Sequence, residues 1–190
     1  MATSNKKKAV FVGINYFKTD SRYIQPLDKL PYIYAKKLME NLLFKEAFTA
    51  EECVLLTDHP CGTSKAEIRK AGKKDVIIAL TEIMDNADKS GDSILFYYCG
   101  HGAVYRKADT KEFYENDGHW GLLKTLNDKG DAVDPFYDSE FRDLISPMLK
   151  NSKVNFTIFI HACHGGVMFV PPLKSPTVYK GPGIAMSAGH

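Results

Sequence analysis

Four short apolar runs set the frame of this chain: KAVFVGIN at 8–15, CVLLT at 53–57, SILFYY at 93–98 and NFTIFI at 155–160. Runs of this length, apolar at nearly every position, suit strands buried on both faces, and the first closes on a Gly/Asn turn signal. Between the first two, Leu30, Ile33, Tyr34, Leu38 and Leu42 recur at helical spacing with Lys36, Lys37 and Glu40 opposite, which predicts a helix over 30–43. After the second run, Thr63 or Ser64 is a candidate cap for a long polar helix reaching towards Ala87, with Ile78, Leu80, Ile83 and Met84 as its buried face. A further helix over 139–149 precedes the last run. Strands alternating with helices predict an α/β fold, a mainly parallel sheet covered on both faces, whose sites lie at the carboxyl ends of its strands. Residues 103–135 interrupt the pattern with Gly118, Gly121, Gly130 and Pro135 and read as a surface hairpin and loop.

A chain of 190 residues that is 44% hydrophobic has material for one substantial core. One domain over 8–190 is expected, with 1–7 as a flexible basic tail. The 25 basic and 23 acidic residues are spread along the chain for a net charge of +2, so there is no phosphate-binding stripe and nucleic acid is not an expected partner. No segment reaches the roughly 18 apolar residues of a spanning helix, and MATSNKKK lacks the apolar core of a secretory signal. No membrane contact and a cytosolic or nuclear location are expected, with Cys53, Cys61, Cys99 and Cys163 as free thiols.

Two strand ends carry reactive residues. The third run leads into Cys99-Gly100-His101-Gly102 and the fourth into His161-Ala162-Cys163-His164-Gly165-Gly166. If these strands are neighbours in a parallel sheet, His101 and Cys163 meet in one crevice. A thiol with an ordinary pKa of about 8.5 is only slightly ionised at neutral pH, so a neighbouring imidazole makes it a nucleophile and later protonates the leaving amine. The glycines are expected to permit tight turns and close substrate approach. Backbone N–H groups of Gly102 and Cys163 are the natural oxyanion donors. Either motif alone reads as a surface histidine or a packed cysteine; the pair of strand ends is what points to cysteine catalysis.

At these residues the chain resembles the caspase family in the broad sense, and most of all its metacaspase branch. KAVFVGIN resembles that family's first strand, DSILFYYCGHG its histidine strand and loop, FYDSEFRDLI its following helix, FTIFIHACHGG its cysteine strand and loop, and IAMSAGH the strand after it. The resemblance implies a caspase-like three-layer α/β/α domain and a cysteine endopeptidase. Cys163 would be its nucleophile, His101 its proton carrier and Gly102 part of its oxyanion hole, and a protein or peptide substrate would be hydrolysed through a thioester. It also marks departures. Metacaspases commonly place Asp two positions before the nucleophile and caspases Gln, where this chain has His161; a second pocket acid of many metacaspases falls at Tyr34; and Cys99 stands where Ser is usual. Asp28 aligns near the arginine with which caspases read substrate aspartate, and a carboxylate there would instead pair with a basic side chain. Asp28, His161 and Cys99 are therefore the candidate substrate-binding residues.

Many metacaspases take calcium through acids in the loops after the histidine and cysteine. Here Asp109, Glu112, Glu115 and Asp117 follow His101, but 165–174 holds no acid, and calcium needs roughly six to eight oxygens. No cofactor and no calcium requirement are expected. Relatives continue past the fifth strand with a segment that completes the substrate groove, so the domain is expected to be truncated at its C-terminal end, with a dimer or partner chain completing the sheet. Two other readings stay open: a zinc site from Cys99, His101, His161, Cys163 and His164, and an inactive caspase-fold regulatory module.

Overall fold

The computed structural model describes residues 5–20, 22, 24–59, 64–85, 87, 91–106, 119–150, 154–164 and 184–188. Along the chain come β1 (Lys7–Gly13), α1 (Leu30–Phe44), a single 3-10 turn (Ala50–Glu52), β2 (Cys53–Thr57), β3 (Glu67–Arg69) and α2 (Lys73–Asp85). They are followed by β4 (Ser93–Cys99), β5 (Gly102–Arg106), β6 (His119–Leu126), β7 (Val133–Tyr137), α3 (Asp138–Lys150), β8 (Asn155–His161) and β9 (Ile184–Ala188). Six strands form one sheet in the order β3-β2-β1-β4-β8-β9, every pair parallel. The sheet reads β1 to β2 to β3 in one direction and β4, β8, β9 in the other. The reversal lies between β1 and β4, and a crevice opens beyond the carboxyl ends of strands at such a point.

Period-2 alternation along the strands divides the core between the two faces. Phe11, Leu55 and Tyr97 pack under Ala35 and Met39 of α1. Val10, Val12, Phe96 and Ile158 point the other way, against Val76, Leu80 and Ile83 of α2 and Phe141 and Ile145 of α3. Phe141 bridges the sheet and the hairpin region, its ring 5.5 Å from Phe96 and 5.6 Å from Phe136. These are the three α/β/α layers the sequence pattern predicts. Gly13 ends β1 under α1 because a Cβ there would sit 2.6 Å from the Pro31 carbonyl oxygen. No helix among the described residues is long and apolar enough to cross a membrane.

Several expectations need correction, among them Ile78, which is exposed on α2 rather than part of its buried face. The polar helix before Ala87 begins only at Lys73, and the stretch ahead of it contributes β3 to the edge of the sheet, Val54 to Leu56 facing Glu67 to Arg69. Edge strands tolerate charge on their open side, which hides them from an apolar-run reading. Ser64 caps no helix: its Oγ accepts the Ala66 N–H at 3.2 Å; Thr63 lies outside the described residues. Residues 103–135 hold more than a hairpin, since β5, β6 and β7 form a second, antiparallel sheet of three strands. The basic run is built into the fold rather than trailing as a tail. Lys7 opens β1, Lys6 N–H donates to Asp92 Oδ1 at 2.7 Å, and the Lys7 and Lys8 ammonium groups reach the carbonyls of Ala47 and Glu51 at 3.0 and 3.1 Å.

Candidate active site

β4 and β8 run side by side from Ser93 opposite Asn155 to Cys99 opposite His161. His101 and Cys163 each lie two residues past that last pair, so they leave the sheet at the same level on adjacent strands. The loops touch. Gly100 N–H donates to the His161 carbonyl at 3.3 Å, and a Cβ on Gly102 would lie 2.2 Å from the Cys163 carbonyl oxygen and 3.2 Å from the Ala162 Cβ. Only glycine lets the His101 loop close on the cysteine loop in this way. Neither Gly100 nor Gly102 adopts a positive φ, so glycine is needed at these two positions for close approach of the protein's own chain. Beyond them, Cys163 is exposed and His164 turns left-handed at φ 57°, presenting the thiol at the tip of a bend. Gly165 and Gly166 lie outside the described residues.

His101 is half-buried and held from several sides. Its Nε2 lies 2.8 Å from the Gln25 carbonyl oxygen in the segment between β1 and α1. A carbonyl only accepts, so Nε2 carries hydrogen and the neutral ring keeps Nδ1 as its lone-pair nitrogen. Burial holds the imidazole below the usual histidine range, and the Lys124 charge adds to this while the Gln25 carbonyl opposes it. The His101 backbone is fixed as well: its N–H donates to Tyr16 Oη at 2.8 Å, and its carbonyl accepts the Lys124 N–H at 3.0 Å and the Tyr98 hydroxyl at 2.9 Å. Gln25, Tyr16, Tyr98 and Lys124 were not singled out from sequence. The one available signal was Asn15-Tyr16 at the end of the first apolar run, which a parallel sheet puts at the same edge as His101.

On the α1 side of the strand ends stands a second group. The His161 ring packs on Tyr34 with centroids 5.5 Å apart and planes 30° from parallel, and its Nδ1 lies 3.5 Å from Tyr97 Oη and 3.6 Å from Cys99 Sγ. Burial pushes the Cys99 thiol up to about 11, the Tyr97 hydroxyl opposing this, so it stays protonated. The structure thus brings His161 and Cys99 together, adds Tyr34 and Tyr97, and makes this wall aromatic. Asp28 is exposed in the turn before α1 with φ 43°. It caps nothing, since Lys29 holds the N-cap position without a side-chain bond.

The described residues do not assemble the zinc alternative. Among the described residues no three His, Cys, Asp or Glu side chains gather as metal ligands. Strand alternation sends Cys99 and His161 to the α1 face, while the His101 ring is committed to Gln25. Asp109, Glu112, Glu115, Asp117 and residues 165–174, which bear on calcium, lie outside the described residues.

Comparison with known proteins places this arrangement. A metacaspase-1 from Meyerozyma guilliermondii is 26% identical over 191 residues, covering 98% of this chain and 42% of that protein. Metacaspase-6 from Arabidopsis thaliana is 28% identical over 160 residues, covering 84% of this chain and 38% of that protein. The chain therefore spans about two fifths of the length of these curated relatives. Among solved structures, protein GSU0716 from Geobacter sulfurreducens shares the fold with a TM-score of 0.55 at 22% identity, covering 83% of this chain and 50% of that one. Residues 7–172, from the first residue of β1 to beyond Cys163, match the family model of the metacaspase, peptidase C14 domain. With the two strand ends inside that match, the chain belongs to the metacaspase family.

Proposed function

We propose that this domain is a cysteine endopeptidase in which Cys163 attacks the substrate carbonyl and His101 carries the proton. The observation that carries the reading is the contact between the two loops: Gly102, next to His101, closes on the Cys163 carbonyl from an adjacent strand. Because the Gln25 carbonyl takes Nε2–H, Nδ1 is the nitrogen left to accept the thiol proton. The thiolate adds to the peptide carbonyl carbon, and the oxyanion is met by the N–H groups of Gly102 and Cys163. Collapse breaks the C–N bond, the amine leaves with the proton from His101, and a thioester remains. Water, deprotonated by His101, then releases the carboxylic acid and restores the thiol. Losing one oxyanion donor typically costs about 100-fold to 1000-fold in rate.

Substrate recognition falls to the aromatic wall and to Asp28. The Tyr34–His161 ring pair, with Cys99 and Tyr97 behind it, suits a neutral side chain next to the cut bond better than a guanidinium or ammonium. Asp28, exposed in the turn before α1 and three residues after Gln25, is the carboxylate proposed to meet a basic residue elsewhere in the peptide. Residues 165–174 hold no acid that could ligate calcium, so activity without added calcium is proposed. A positional peptide library assayed with wild type and Cys163→Ala tests the reading. Cleavage that disappears in the variant supports it; peptides left intact by the wild type, with and without calcium, overturn it. A ranking that Asp28→Ala leaves unmoved removes Asp28 from the site.

A further inference from the structure

Tyr16 lies beneath the site and belongs to neither reacting group. It is fully buried, at φ 62°, three residues after the end of β1. That left-handed backbone is gripped on both sides by Asp58, whose Oδ1 accepts the Asn15 N–H at 2.7 Å and whose Oδ2 accepts the Phe17 N–H at 3.2 Å. The hydroxyl is shared among three segments. It accepts the His101 N–H at 2.8 Å, donates to the Lys124 carbonyl of β6 at 2.7 Å, and lies 3.1 Å from the Tyr98 hydroxyl of β4. The ring lies beside the imidazole itself, centroids 4.8 Å apart and planes at 43°. Gly100 completes the arrangement, because a Cβ there would sit 2.8 Å from Tyr98 Oη and 2.9 Å from Tyr16 Oη.

A ring that only filled the core would need one partner for its hydroxyl. This one holds the backbone and the ring of the same histidine, from the segment whose Gln25 carbonyl takes Nε2–H. We propose that Tyr16 is a positioning residue for His101, fixing the height of its loop through the hydroxyl and the plane of its imidazole through the ring. This rests on the reading of His101 as the proton carrier. The reason such a residue matters is geometric: proton transfer requires the reacting atoms to be held within a fraction of an ångström, and a displacement of about 1 Å costs on the order of 100-fold in rate.

The test compares Tyr16→Phe, which deletes only the hydroxyl, with Ile158→Val, a substitution in the same core cluster that leaves the hydroxyl network intact. Two readouts are followed: the pH dependence of Cys163 alkylation by iodoacetamide, which needs no peptidase activity, and kcat and KM on a peptide the wild type cleaves. The expected result is a roughly tenfold to 100-fold loss in kcat with KM within about threefold. The acid limb of the alkylation profile should move up by half a pH unit or more, while Ile158→Val leaves both unmoved. Superimposable profiles for Tyr16→Phe and wild type overturn the proposal. If Tyr16→Phe does not fold, Gly100→Ala puts a methyl against both hydroxyls with the rings retained, and the same limb must move. Should no peptide be cleaved while the alkylation limb still shifts, the peptidase reading fails and the placement of His101 by Tyr16 stands.

Discussion

His101 titrates below a free histidine because burial penalises its charged form, the neighbouring Lys124 charge adds to this, and the Gln25 carbonyl only partly offsets both. A base must be neutral to act, so the acid limb of peptidase activity is expected below the ordinary histidine value of about 6.5. A kcat/KM profile with its limb at or above that value counts against it. The same depression works on stability: the unfolded chain takes up the proton first, so folding stability falls as pH drops below about 6.5. The thiols separate similarly. Burial pushes Cys53 up to about 12 and Cys99 up to about 11, while Cys163 is exposed. Mass spectrometry after brief iodoacetamide treatment near neutral pH should find Cys163 modified with Cys53 and Cys99 intact; equal labelling of Cys99 would contradict the packing at its sulfur. His161→Asp puts a carboxylate beside Tyr34, and a cleavage series should then shift towards Arg and Lys by about tenfold. His101 and Cys163 could be singled out as candidates in sequence because each lies just past an apolar run, His101 between two glycines and Cys163 two residues before Gly165. Tyr16 was not, since its importance lies in contacts with residues far along the chain.

Among the elements, the β4–β5 connection has the least room. Gly102→Ala drives a methyl into backbone, with no flexible side chain to yield, so the His101 loop must lift from Cys163. We expect kcat/KM to fall about 100-fold or more, with a stability loss of about 1–3 kcal/mol by thermal melting. An alanine variant of wild-type rate would show that the loops need not touch. The two central strands were readable because continuous apolar runs mark strands covered on both sides, and β2 was found at its true bounds. β3 was not, because three residues with two charges leave no period to detect. The second sheet was read only as a hairpin and loop for a different reason: β6 mixes Lys and Thr with leucines and β7 carries Asp and Pro, as half-exposed antiparallel strands can, which blurs their number and bounds.

At the scale of the whole molecule, the sheet's order predicts where a second copy would join. Among the described residues β9 and β3 are the two outer strands, and an outer parallel strand offers unpaired backbone groups. Sedimentation over a micromolar range should therefore show self-association; a single monomeric species throughout would leave the edge at β9 without a partner of this chain. The alternation along β4 has another consequence. Tyr98 points to the α2 and α3 face, where it meets Tyr16 and the His101 carbonyl, while Tyr97 and Cys99 point to the α1 face and meet His161. One strand thus serves two tasks on opposite sides of a single peptide plane. Changes at Tyr34 and His161 can accumulate without disturbing the hydroxyls beneath His101, and their energetic effects should combine additively with changes there. Under the proposed function, a lineage or a directed-evolution library is free to retune which peptides are cut while inheriting the groups around His101 intact.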